Sequence, residues 1–149
     1  MKLYQSQKTY GNEVGFSCCF RQHKATSHCS LLHGYSIGVR IKFETEHLDH
    51  RHWVIDFGGM KQVKEFLKRH FDHTLLVADD DPMKDELLAL GSAGLARVIP
   101  MRRVGCEAFA EFIFDYVAQW VTIEADGRVR VQSVEVFEHG SNSASVSVR

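Results

Sequence analysis

The sequence predicts an α+β domain in which two main helices cover one face of an antiparallel sheet, and three observations carry that prediction. From Tyr35 the chain alternates strictly, with Tyr35, Ile37, Val39, Ile41 and Phe43 on one parity and Ser36, Arg40, Lys42 and Glu44 on the other. That is the period of a half-buried strand. Two later stretches instead recur at three and four residues, as amphipathic helices do: Met60, Val63, Phe66 and Leu67, then Ala108, Phe109, Phe112, Ile113, Tyr116, Val117 and Trp120. Two apolar runs, 128–137 and 144–148, close the chain as further strands.

The first strand is expected over 15–21, where Gly-Phe-Ser-Cys-Cys-Phe-Arg is short and apolar, and its partner is the strand from Tyr35. Between them lies a long loop, 22–33, carrying His23, His28 and His33, and loops of that length are usually functional or disordered. After the second strand a polar turn, Thr45 to His52, leads into apolar Trp53 to Phe57, which signals a hairpin. His47, His50 and His52 are a conceivable metal set, but a solvated loop explains them more simply. The first helix starts near Met60 and ends near His70; Asp79-Asp80-Asp81-Pro82 reads as the solvated start of a short helix over 83–90. A short apolar piece, 95–101, precedes the strongest helix, which opens at Gly105. In the strand that follows, Val129 and Val131 share one parity and Val134 and Val136 the other, so a bulge is expected near Gln132 or Ser133. The order is two strands, two main helices, two strands, in a four-stranded sheet over one domain, 1–149.

A formal charge of -1, from 18 basic and 19 acidic residues, supplies no global field toward nucleic acid or an anionic membrane. The first ten residues lack the apolar run of a signal peptide and no stretch has the length to span a bilayer, so a cytoplasmic protein is expected. None of the four cysteines is spaced like a zinc knuckle, and adjacent Cys18 and Cys19 point to opposite faces of a strand; free thiols follow.

Four patches place a titratable group at an element end: Cys29 with His33, Asp72 with His73, Glu107 at a helix start, and Glu138 after a strand. A carboxylate beside an imidazole orients it for proton transfer, a thiolate is a base or nucleophile, and a buried carboxylate can accept both donors of an aminopyrimidine edge. Each also has a plain structural explanation, such as a helix C-terminus for His73 or the favourable end of a helix dipole for Glu107.

In order and context these residues resemble the 6-pyruvoyltetrahydropterin and 6-carboxytetrahydropterin synthases. Phe16-Ser17-Cys18-Cys19-Phe20 stands where the family has Phe-x-Ala-Ala-His, and Cys29 to Tyr35 where it has Cys-x-x-x-His-Gly-His. Asp56-Phe57, Asp72-His73, Val104 to Glu107 and Glu138-His139 stand where it has Asp-Phe, Asp-His, Pro-Thr-x-Glu and Glu-Thr. The resemblance implies the tunnelling fold, a ββααββ unit that assembles as a homo-oligomeric ring, a trimer or dimer of trimers, with active sites between subunits. It also implies a pterin substrate, 7,8-dihydroneopterin triphosphate or a relative, in 7-deazaguanine (queuosine-like) or pterin biosynthesis. Cys29 would match the catalytic thiol, Asp72 and His73 the proton relay, Glu138 the pterin anchor and Glu107 the glutamate near it.

The family holds zinc with three histidines, whose positions are Phe20, His33 and Tyr35 here, so only His33 survives as a ligand. Loss of the metal is the expected outcome, with a site rebuilt from His33 and Cys18, His23 or His28 as the alternative. Two further functions follow from that departure: a non-catalytic pterin or purine binder, and metal-independent cleavage of the dihydroneopterin side chain.

Overall fold

The computed structural model describes residues 1–149. Its strands are β1 (Tyr4–Tyr10), β2 (Phe16–Phe20), β3 (His33–Thr45), β4 (Thr74–Ala78), β5 (Val98–Met101), β6 (Arg130–His139) and β7 (Asn142–Ser147). The helices are α1 (Lys61–Phe71), α2 (Lys84–Ser92) and α3 (Cys106–Glu124).

Strand β3 is the spine, and its alternation decides which face becomes the core. Ile37, Val39, Ile41 and Phe43 are fully buried and meet Val63, Phe66 and Leu67 of α1 and Phe109, Ile113 and Val117 of α3 in one apolar cluster. Both main helices therefore lie on the same face, as the sequence predicts. They are joined there by aromatic stacking: the Phe66 ring lies 3.8 Å from that of Tyr116, tilted by only 2°, and 5.3 Å from Phe112. The basic residues Lys68, Arg69 and His70 occupy the last turn of α1, where the helix dipole favours positive charge.

The sheet departs from the expected four antiparallel strands: it has seven, in the order β5-β4-β2-β3-β6-β7, with β1 paired to β3, and its β2-β4 and β4-β5 ladders are parallel. Strands β1 and β2 pair end to end along one edge of β3, residues 4–10 against 39–45 and 16–20 against 33–37. β1 carries no apolar alternation, because its core-side parity holds Ser6 and Lys8 opposite Phe43 and Ile41; backbone pairing rather than side-chain burial makes it a strand. β4 is buried at all five positions, since Leu76 joins the main core while Leu75 and Val77 meet Leu87 of α2 on the opposite face. A strand covered on both sides has no period to read. Cys18 and Cys19 divide in the same way between the two faces.

Residues 53–57 are not a strand. Asp49 Oδ1 accepts from the N–H groups of Arg51 (2.8 Å) and Trp53 (3.0 Å), and Asp56 Oδ1 accepts from Gly58 N (2.9 Å) to open a 3-10 turn over Phe57–Gly59. Side-chain acceptors thus satisfy the backbone that a ladder would have used. The expected bulge is present: Lys42 pairs Ser133 while Phe43 pairs Val131, leaving Gln132 unopposed. No helix is long and apolar enough to cross a membrane.

Gly34 packs against β2, and a Cβ there would stand 2.7 Å from the Cys18 carbonyl oxygen. Gly34→Ala is expected to cost about 1–3 kcal/mol, as overpacking does, and to lower the urea midpoint accordingly.

Candidate active site

The end of β2, the start of β3 and the first turn of α3 meet at one corner of the core. Phe20 pairs with His33 across the ladder, which puts their rings 5.2 Å apart. Tyr35, two residues further along the same face of β3, lies 6.1 Å from Phe20 and 5.5 Å from His33, edge-on to the latter at 89°. The Phe109 ring closes the corner from α3 at 5.1 Å, and His139 at the end of β6 stands 6.3 Å from Tyr35.

Cys29 reaches this corner on a short 3-10 turn, His28–Ser30, held from several sides. Gln22 N donates to Cys29 O (2.9 Å), Cys29 N donates to Ser27 Oγ (3.3 Å), and Arg21 Nη1 donates to Ser30 O (3.1 Å). Arg21 also grips buried Asp81 with both forks, Nε to Oδ2 at 2.8 Å and Nη2 to Oδ1 at 2.7 Å. Asp79 and Asp80 of the acidic run are about half exposed just ahead of α2, as expected of a solvated helix start, but Asp81 is buried. Asp81 anchors the loop, Asp80 pairs His23 and Lys24, and Asp79 pairs Lys84. Acids flanking a proline resemble a cap in sequence, but these three find cations, two of them some 60 residues away in the chain.

Glu138 projects from the end of β6 toward α3. The Cys106 thiol, pushed up to about 12 by burial and then by the charges of Glu138 and Glu107, stays protonated beside Glu138. Tyr35 is likewise raised, first by burial and then by Glu138, Cys29 and Cys106. Cys29, Glu138 and Cys106 thus all stand close enough to Tyr35 to act on it, with Glu107 one position on from Cys106. Gln22 joins the loop to the helix start, donating Nε2 to Val104 O at 3.1 Å in the space a Cβ on Gly105 would need. Asn12 was not visible as a site residue in sequence, yet its Nδ2 donates to Ser36 O (2.8 Å), Phe137 O (3.3 Å) and Glu138 O (3.4 Å), strapping the β6 end to β3.

Asp72 and His73 lie elsewhere. Asp72 Oδ1 accepts from Ser17 N (3.3 Å) and holds His73 Nδ1 at 3.0 Å, while the His73 ring is 85% exposed. Arg97 fixes this turn by donating Nη2 to the carbonyls of Lys68, Arg69 and Asp72 at 3.0, 2.9 and 2.8 Å. His73 opens on a cleft of about 640 Å³ lined by Ser17, Cys19, Gly34, Tyr35, Ser36 and Arg97, which includes neither Cys29 nor Glu138. Ser17 lies three residues, about 10 Å, along β2 from Phe20.

The residues present do not fit zinc. Phe20 has a carbon ring, 1% exposed, where one ligand would be, and Tyr35 offers a phenol that burial keeps protonated. His33 donates Nδ1–H to Leu31 O at 2.7 Å and has Nε2 alone to give. Cys18 is buried with its thiol pushed up to about 12, first by desolvation, and His23 is committed to Asp80. No group of three or more His, Cys, Asp or Glu side chains is placed to hold a metal, those of the His47–His52 loop included.

The family model described as 6-pyruvoyl tetrahydropterin synthase matches residues 11–148. The chain belongs to that family. It is 26% identical over 147 residues to a 6-carboxy-5,6,7,8-tetrahydropterin synthase of Aquifex aeolicus, covering 96% of this chain and 88% of that protein. Among solved structures, an uncharacterised protein of Wolinella succinogenes superposes with a TM-score of 0.87 at 20% identity over the whole of both chains. A Plasmodium vivax 6-pyruvoyltetrahydropterin synthase variant superposes with a TM-score of 0.68 at 15% identity, over 100% of this chain and 99% of that one. The tunnelling fold expected from the sequence is therefore the fold of this chain, with the extra strands described above.

Proposed function

We propose that this protein processes a pterin, as a carbon-oxygen lyase of the 6-carboxytetrahydropterin synthase type, on 7,8-dihydroneopterin triphosphate or a close relative. The pathway served would be 7-deazaguanine (queuosine-like) or pterin biosynthesis. The observation that carries this reading is the convergence of Cys29 and Glu138 on Tyr35 at one corner of the fold. In it, Glu138 accepts the two N–H donors of the aminopyrimidine edge, and the Cys29 thiolate takes a proton from the adjacent side chain. Asp72 orients and stabilises His73 as the proton relay.

Because the cleft on which His73 opens is lined by Tyr35 but by neither Cys29 nor Glu138, the reading places Asp72 and His73 in the site of a neighbouring copy, in a ring built through the sheets. The outer edges of β1 and β7 support this, since each has a ladder partner on one side only. A second reading, a pterin or purine binder without turnover, is favoured by the closure of one ligand position by Phe20.

The test is incubation with 7,8-dihydroneopterin triphosphate and mass spectrometry of the products. The expected result is a pterin product that Cys29→Ala abolishes while ligand binding persists. Binding without any product would overturn the lyase in favour of the binder, and absence of both would overturn the pterin reading.

A further inference from the structure

Two clefts meet at His73 and Arg97. The one described above runs along β2 and β3; a second, of about 400 Å³, lies at the C-terminal end of α1 and is lined by Glu65, Lys68, Arg69, Asp72, His73 and Arg97, with no apolar side chain among them. Its cations are unspent. Arg21, Arg40, Arg51, Arg103 and Arg130 each grip a carboxylate, whereas Lys68, Arg69 and Arg97 make no ion pair although Glu65 and Asp72 share their cleft. Asp72 spends Oδ1 on Ser17 N and on His73, which leaves Glu65 as the carboxylate there without a partner. A helix end with bare carbonyls repels an anion, but Arg97 covers this one. Its Nη2 donates to the Lys68, Arg69 and Asp72 carbonyls, while its Nε and Nη1 donate to nothing in the chain. The two arginines also converge: the half-buried His70 imidazole is held below its usual range first by burial and further by the charges of Arg69 and Arg97.

We propose that Lys68, Arg69 and Arg97, with His73 at the rim, form a binding cleft for an oligophosphate chain. A polyanion suits the cleft better than a single carboxylate does. Two exposed side chains at the end of α1 and a guanidinium from the segment before β5 approach from separate pieces of backbone, so the charge they neutralise is spread along a chain. The three carbonyls pin the Arg97 fork and aim its remaining N–H groups, while Lys68 and Arg69 supply charge on flexible stems. The source of the chain rests on the pterin reading. In it, the triphosphate of 7,8-dihydroneopterin triphosphate, whose ring is held by Glu138 of a neighbouring copy, enters this cleft beside His73. A free polyphosphate carries the same chemistry, and the experiment separates the two.

Calorimetry at low salt, with a chelator present and in the Cys29→Ala chain so that no ligand is consumed, compares inorganic triphosphate, 7,8-dihydroneopterin triphosphate and 7,8-dihydroneopterin. Adding Lys68→Ala and Arg69→Ala is expected to weaken both triphosphates about tenfold and to leave 7,8-dihydroneopterin unchanged. Glu65→Gln, which removes the opposing charge, is expected to tighten both triphosphates about threefold, a gain that a purely structural role for this helix end does not give. Lys61→Ala, seven residues and about 10 Å up the helix from Lys68, is the control and is expected to change neither by more than about twofold. Inorganic triphosphate that fails to bind, or whose binding is indifferent to Lys68, Arg69 and Glu65, would overturn the cleft and leave the pterin reading in place. A response with inorganic triphosphate but not with 7,8-dihydroneopterin triphosphate would overturn the substrate as the source of the chain in favour of a free polyphosphate. Binding of inorganic triphosphate with neither pterin bound would overturn the pterin reading and leave the cleft standing.

Discussion

Asp81→Ala is expected to destabilise the protein by about 3 kcal/mol, roughly 10 °C in Tm, and to loosen the loop that carries Cys29. Asp81 is 4% exposed and accepts two hydrogen bonds from Arg21 and one from Met83 N at 2.9 Å. Its removal leaves the Arg21 guanidinium, whose side chain is only 21% exposed, without a counter-ion. Breaking a buried pair at one partner typically costs about 3–5 kcal/mol, and the partial exposure of Arg21 argues for the lower end. The effect has a pH signature. The Arg21 hydrogen bonds hold the Asp81 carboxyl below its usual range. Its contribution is therefore fully present above the unfolded carboxyl's value near 4 and is lost as pH falls through the depressed folded value. Urea denaturation of wild type and variant should accordingly show a gap that is constant from pH 5 to 7 and narrows below about pH 4. A gap independent of pH would mean that Asp81 acts by packing and not as an ion pair. Because Arg21 also donates to Ser30 O, the variant should lose turnover beyond what its folded fraction explains.

What was legible in sequence was what periodicity or order encodes. The β3 alternation, both main helices and the bulge at Gln132 were readable because burial on one face imposes a period of 2 or 3.6, and a parity switch marks where that period slips. Strand β4 was not readable, because Leu75, Leu76 and Val77 are all buried, on two faces. Strand β1 was not either, because Gln5, Gln7 and Thr9 pair with β3 through backbone groups and carry no apolar signal. Trp53 to Phe57 misled for the opposite reason: apolar residues imply burial, and Val54 and Ile55 are buried, yet Asp49 and Asp56 satisfy the backbone locally.

Cys29, His33 and Glu138 were singled out through the order of motifs, and the fold brings all three near Tyr35. The supports of that corner were invisible. Arg21 and Asp81 are 60 positions apart and Asn12 and Glu138 are 126 apart, and nothing in local pattern announces a pair made by tertiary packing. The same limit applies to Cys106, which reads as a core thiol at a helix start until β6 brings Glu138 against it.

Glu138→Gln is expected to weaken pterin binding about 100-fold, the largest effect of any single conservative change in the site. A carboxylate can accept both N–H donors of an aminopyrimidine edge, whereas the amide that replaces it must turn its own NH₂ toward one of them. Losing one charge-assisted hydrogen bond and opposing two donors amounts to about 3 kcal/mol. The Cys106 thiol provides the control that separates anchoring from packing. It stays protonated beside the Glu138 charge, so Cys106→Ala should remove one neighbour of the carboxylate and weaken binding only severalfold, while Cys106→Ser keeps a small polar group there and with it most of the affinity. In the Glu138→Gln background the thiol no longer faces a charge, so Cys106→Ala should add almost nothing further. Calorimetry with 7,8-dihydroneopterin across this double-mutant cycle measures the coupling directly. Additive effects would mean that Cys106 and Glu138 serve the fold separately, and full affinity in Glu138→Gln would remove the pterin anchor from this corner altogether.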